Sequence, residues 1–289
     1  MWDLTVVAAK ALTYAATLGA SGGVFFLTYS HAFIREAAPR IRRLIRSLLV
    51  VSALASGAKI LATAGSMSGD MAGLFDADLT RMILQAGEGR ANLIRLAGLI
   101  LMTSAFPLQG RPPLSALIGS LAAATSFAWV GHVHALAGAW LSSTVMAVHL
   151  LGAAFWLGAL VPLLMVTSAV EVSRVAATAS RFGFSALFVV AVLLAAGACL
   201  LCLLLRNVSE LWSSGYGRLV LCKIVLVACL LGFAAVNHLR LTPRLFARDV
   251  RALRFLRRSI KFEISFACAI LVVTAAMTTL TGPSVLDQP

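Results

Sequence analysis

Eight apolar runs, each close to the ~20 residues that a membrane-crossing helix requires, take up most of this sequence. Their limits are about 5–30, 47–66, 90–108, 114–133, 141–166, 182–205, 217–239 and 260–281. The runs are continuous, without the two-residue alternation of barrel strands. In hydrocarbon a backbone must satisfy its own polar groups, and a helix does so within one segment. Composition agrees: 60% of the residues are hydrophobic and 12% are charged, against roughly 25% charged in a soluble domain. The expected fold is all-α, a single polytopic membrane domain over residues 1–289 with about eight transmembrane helices and no soluble module. The opening MWDLTVV has no basic n-region, so the first run is expected to be a retained span.

The net charge of +13 is bunched in the short gaps between runs. The first gap holds Arg35, Arg40, Arg42, Arg43 and Arg46, and the gap after the seventh run holds Arg240, Arg244, Arg248, Arg251, Arg254, Arg257 and Arg258. Cytoplasmic loops collect Lys and Arg. Both gaps fall on one side of an eight-span chain, so that side is the cytoplasm and both termini are expected outside. Arg111, Arg174 and Arg181 agree, and Asp3, Asp70, Asp76, Asp78, Glu88, Glu210 and Asp287 fall on the opposite side. No basic-aromatic interleaving suggests a nucleic-acid surface, so the partner implied is the lipid bilayer. Arg95 and Lys223 lie near outer span ends, where they can snorkel, while Lys59 sits deeper and can snorkel or pair with an acid. Glu263, at the start of the last span, is expected to neutralise Lys261 or Arg258.

Three of the five histidines fall between 128 and 165. His132 and His134 end the fourth run, and His149 lies about eight residues into the fifth, roughly 12 Å below its outer end. Met146, His149, Ala153 and Trp156 share one helical face, with Gly152 beside them. Imidazole suits several transition metals, and a thioether shifts the preference toward Cu(I). A lone membrane histidine can equally bond a backbone carbonyl of a neighbouring helix, so both readings of His149 stay open. Met67, Asp70 and Met71, in the longest outer gap, are a weaker candidate for a first copper contact. The five cysteines, Cys199, Cys202, Cys222, Cys229 and Cys268, all lie in apolar runs and are read as small buried hydrophobes. Gly19 and Gly23 have the small-xxx-small spacing of a helix contact.

Three stretches carry a resemblance: GHVHA, VHLLGAAFWLGALVPLL and YGRLVLCKIVLVACLLGFAAVNHLRLTPRL. From about 129 to 280 the chain resembles the CopD-type copper-resistance membrane proteins. The matching positions are Gly131, His132, His149, Trp156, Gly158, Pro162, Tyr216, Gly217, Lys223, Asn237, Pro243 and Glu263. Over the first three spans only length and topology are similar. His134, His238 and the cysteines are individual to this chain. The resemblance implies a multi-pass protein of the bacterial inner membrane that moves copper between periplasm and cytoplasm beside a periplasmic CopC-like carrier.

The expected function is copper transport, contributing to uptake, homeostasis or resistance. Copper, as Cu(I) or Cu(II), is the substrate and no organic cofactor is expected. The path runs from Met67, Asp70 and Met71 past His132 and His134 to His149 and Met146, supported by Trp156, Gly158, Pro162, Lys223, Asn237 and Glu263. No GxxxxGK[ST] motif is present, so ATP is not the expected drive. Two alternatives remain: a haem-b electron carrier with histidine ligands, and a non-transporting copper sensor or scaffold for a periplasmic copper protein. No nucleophile, base and acid constellation is found, so an enzyme is not expected.

Overall fold

The computed structural model describes residues 2–106, 110–131, 139–205 and 207–282. Every regular element among them is helical. In chain order these are α1 (Trp2–Ser30), α2 (Ala38–Ser68), α3 (Ala77–Gln85), α4 (Gly87–Met102), α5 (Leu114–Thr125), α6 (Ala139–Ala169), α7 (Val172–Leu204), the single turn α8 (Glu210–Ser213), α9 (Gly215–Val236), the short α10 (Thr242–Phe246) and α11 (Val250–Leu280). Six stretches are long and apolar enough to cross a membrane, built on α1, α2, α6, α7, α9 with α10, and α11.

All eight apolar runs become helix, but the third and fourth are short. Helix α4 has 16 residues before a 3-10 turn at Thr103–Ala105, and α5 has 12 before another at Ser126–Trp129. Two prolines, Pro112 and Pro113, delay the start of α5, since proline favours the first turn of a helix and not its interior. The two short helices pack on each other with Gly98 against Gly119; a Cβ on Gly98 would lie 2.6 Å from the Gly119 carbonyl oxygen.

The other helices overrun the expected limits, mostly into arginine-rich sequence. Helix α2 begins at Ala38, α7 at Val172 and α11 at Val250. Hydropathy registers side chains, whereas the helix continues as long as backbone bonding is satisfied. At 1.5 Å per residue, the 31 residues of α2 or α11 span about 46 Å, against a hydrocarbon core of ~30 Å. The arginines therefore ride on helical extensions instead of loops. Contacts gather these extensions at one end of the bundle. Arg174 on α7 pairs with Glu36 before α2, Tyr29 on α1 donates to the Arg181 carbonyl, and Arg257 on α11 donates to Thr167 on α6. At the opposite end Lys10 donates to the Thr278 carbonyl, 3.0 Å away, joining the start of α1 to the end of α11.

Helix α1 packs against α2, α5, α6 and α11. Its GASGG segment serves two neighbours. A Cβ on Gly23 would meet Ile45 of α2 and one on Gly19 would meet Leu48 of α2, so the small-xxx-small pair faces α2. Gly22, between them, faces α6: a Cβ there would lie 2.6 Å from Gly158 Cα, and one on Gly158 would lie 2.6 Å from the Leu18 carbonyl oxygen. The main core joins residues from Ala20 to Ile270, including Phe26, Ile41, Met102, Trp156, Phe182 and Leu256.

Replacing Gly22 by Ala forces two backbones apart and is expected to cost ~1–3 kcal/mol. Gly232→Ala, at a position with nothing within 4 Å, is expected to be neutral or slightly stabilising because alanine favours helix by ~1 kcal/mol. Thermal unfolding of the purified variants in detergent measures both; equal melting temperatures would refute a close α1–α6 approach.

Candidate metal centre

Helix α6 carries the central candidates. His149 sits against α7, where Gly197 makes room for it: a Cβ on Gly197 would lie 3.2 Å from the ring Cε1. One turn further along α6, Gly152 lets Leu193 of α7 approach to 3.1 Å of its would-be Cβ. The His149 Nδ1 lies 3.1 Å from the Leu193 carbonyl oxygen. That oxygen can only accept, so Nδ1 is the donor, and in the neutral ring Nε2 then keeps its lone pair. The carbonyl-bonding reading is thus met by one nitrogen, and the ligand chemistry of the other is untouched. Ligating imidazoles are commonly held in this way, with the far nitrogen fixed by a carbonyl.

Met146 lies one turn before His149. It packs on the cluster of Leu200 and Leu204 from α7, Tyr216 and Val220 from α9, and Met277 from α11. Two thioethers, Met146 and Met277, therefore belong to one apolar cluster at the end of the bundle opposite the arginines. Lys223 of α9 lies within electrostatic reach of the His149 ring. Trp156, two turns beyond His149, is 3% exposed and belongs to the main core. Pro162 is buried inside α6; lacking N–H, it cannot bond the carbonyl of Gly158, the residue that meets α1.

Asn237 and Glu263 lie toward the arginine-bearing end. Asn237 opens a π-turn, Asn237–Leu241, that links α9 to α10, and Thr242 donates to its carbonyl over 2.8 Å. Its Nδ2 donates to Glu263 Oε1 on α11. Glu263 is 3% exposed and, among the described residues, forms no ion pair with Lys261 or Arg258. The amide is its partner, contrary to the expectation of charge neutralisation. The expectation used sequence distance, whereas the π-turn aims Asn237 across the helix pair.

Met67 and Met71 are exposed near the end of α2, and Asp70 Oδ1 accepts from the Gly73 N–H at 3.1 Å, holding a turn. That gives Asp70 a local structural task. His132 and His134 lie outside the described residues. Among the described residues no group of three or more His, Cys, Asp or Glu side chains converges as a metal site. The five cysteines are exposed, on outward helix faces, and not buried as expected. A thiol is tolerated by hydrocarbon as well as by a core, so an apolar run does not say which way it points.

The sequence reading missed a buried polar cluster away from the arginine-bearing end, where α1 and α4 begin and α2 ends. Lys59 pairs with Glu88, the deeper of its two expected behaviours. Arg95 does not snorkel: it is 1% exposed, donates to Ser126, Ser56 and Asn92, and lies 4.0 Å over the Phe127 ring. Its Nη2 is buried without a partner. Lys10 feels the charges of both Lys59 and Glu88. A signal existed in the 3–4-residue spacing of Glu88, Asn92 and Arg95, which puts three polar groups on one face of a short apolar helix.

Known proteins are similar to this chain over most of its length. The family profile described as Copper resistance protein D matches residues 176–277, and that described as Copper resistance protein D-like, N-terminal domain, matches residues 1–143. The likeness therefore includes the first three spans, beyond the 129–280 region that carries the motifs. Copper resistance protein D of Pseudomonas syringae pv. tomato is 32% identical over 263 residues, 83% of each chain. Inner membrane protein YebZ of Escherichia coli (strain K12) is 27% identical over 253 residues, 85% of this chain and 87% of that one. No solved structure matches the chain.

Glu88 pairs with Lys59 and lies within electrostatic reach of Lys10 and Arg95. Glu88→Gln removes the acid from buried Lys59 and is expected to cost about 1–3 kcal/mol, less than a fully buried pair would because Glu88 is 35% exposed. Lys59→Met leaves Glu88 beside Lys10 and Arg95 and is expected to cost less. Unfolding temperatures of the two variants give the order, and a more damaging Lys59→Met would contradict it.

Proposed function

Because the chain belongs to the copper resistance protein D family, we propose that it carries copper ions across the bacterial inner membrane, between periplasm and cytoplasm, as a transporter and not an enzyme. The observation that supports this most is the His149 imidazole: its Nδ1 is held by the Leu193 carbonyl, its Nε2 retains a lone pair, and Met146 stands one turn away. An imidazole and a thioether offer the mixed donor set that favours Cu(I). Copper reaches them from the outer face past Met67, Asp70 and Met71 and then His132 and His134. A periplasmic CopC-like carrier supplies it, and both names among the relatives fit this setting.

The same reading orients the protein with both termini in the periplasm and the arginine-bearing helix extensions in the cytoplasm. This orientation does not depend on whether α4 and α5 cross fully. Two short helices that enter and return leave α6 starting on the side where α2 ended, as two full spans do. Lys223 of α9, within electrostatic reach of His149, stands beside this path.

Uptake of copper by proteoliposomes containing the purified chain tests the path. His149→Ala is expected to lower flux at least tenfold while His238→Ala, on the far side of the bundle, leaves it within about twofold; a tenfold loss is 1.4 kcal/mol on the barrier. Equal flux in the wild type and His149→Ala removes His149 from the path, and copper binding without flux in the wild type supports a sensor or scaffold in place of a transporter.

A further inference from the structure

The groove between the start of α2 and the α4–α5 turn is lined by His31, Arg35, Arg42, Arg43, Arg46 and Phe106 and encloses about 810 Å³. A net excess of arginine on this side follows from topology alone. Convergence does not. Arg42, Arg43 and Arg46 fall on one face of α2, and the charges of Arg35, Arg42 and Arg111 act together on the His31 ring. The other arginine-rich segment is spread out by its contacts: Arg244 pairs with Asp249, Arg257 donates to Thr167 and Arg258 lies over Phe262.

None of the four groove arginines is in an ion pair among the described residues, and the nearby carboxylate of Glu36 is taken by Arg174. Arg42 spends its donors on the Ala105 and Gly110 carbonyls, which fixes the groove's wall. Arg46 lies 4.9 Å over the Phe106 ring, so the groove has an apolar floor beneath its charges. The volume falls within the range of small-molecule sites. Arginine is the residue suited to phosphate, through its planar fork of donors. The groove also stands where the helix passes from arginine-rich extension into apolar span, at the level of lipid headgroups.

We propose that this groove binds the headgroup of an anionic phospholipid, with Arg35, Arg43 and Arg46 on its phosphates and Phe106 against its acyl root. The shared chemistry is phosphate; the apolar floor and the depth in the bilayer assign it to a lipid and not to the free ion. This site is separate from the copper path, and its test uses no copper.

The full chain in neutral detergent is titrated with cardiolipin, with phosphatidylcholine and with inorganic phosphate at matched ionic strength, and retained lipid is counted by native mass spectrometry. Cardiolipin is expected to be retained at least tenfold more tightly than phosphatidylcholine and to resist millimolar phosphate. The double variant Arg43→Gln with Arg46→Gln is expected to weaken it roughly thirtyfold, at about 1 kcal/mol per arginine, while Arg251→Gln with Arg254→Gln changes it less than threefold. Equal loss in the two double variants, or equal retention of both lipids by the wild type, overturns the proposal. Displacement by inorganic phosphate alone overturns the lipid assignment. If the groove variant does not fold, the three wild-type titrations decide.

Discussion

The meeting of α1 and α6 at Gly22 and Gly158 is the contact on which the bundle rests. Lipid offers no hydrophobic reward for joining two helices, so association relies on close packing. Here the helices come together without side chains between them. Helix α1 is then near enough to α6 to contact α2, α5 and α11 at the same time. The candidate metal helix is therefore fixed by its middle, and its N-terminal half, with Met146 and His149, is left to face α7, α9 and α11. A methyl group at that crossing would be felt at the imidazole, although it lies several turns away.

The two ends of the bundle are built from opposite materials. One end carries arginine-rich helical extensions joined by pairs such as Arg174 with Glu36. The other carries a small set of charges held inside the protein, Lys59 with Glu88 and Arg95 against Phe127. Charges of the first kind cost little because water reaches them. Those of the second kind are costly and require partners. That contrast explains why the Lys59–Glu88 cluster ties α1, α2 and α4 together so specifically, and why the arginine end tolerates a groove of cations without ion-pair partners among the described residues.

Much of this was legible in the residues. The apolar runs located every long helix, and the arginine gaps placed α2, α7 and α11 on one end. The motif around His149 indicated the family before any comparison. Other features were not legible, for identifiable reasons. Hydropathy could not show how short α4 and α5 are, because an apolar run that ends in a 3-10 turn reads like one that stays helical. It could not say that Arg95 turns inward, because snorkelling and burial differ only in which neighbour stands at the same depth. The Asn237–Glu263 bond required the π-turn, which leaves no trace in periodicity. Gly197 looked like one more small residue until its role as the seat for His149 became visible across two helices.

The outward placement of the five thiols has a kinetic meaning. A thiolate grips soft copper harder than an imidazole or a thioether does, and two of them in a conduit would act as a trap. A conduit must attract its cargo and then release it. With the sulfhydryl groups on outward helix faces, the donors near His149 are an imidazole and a thioether. For the copper path proposed above, this placement would keep the strongest copper ligands out of the ion's way and the residence time at any one donor short.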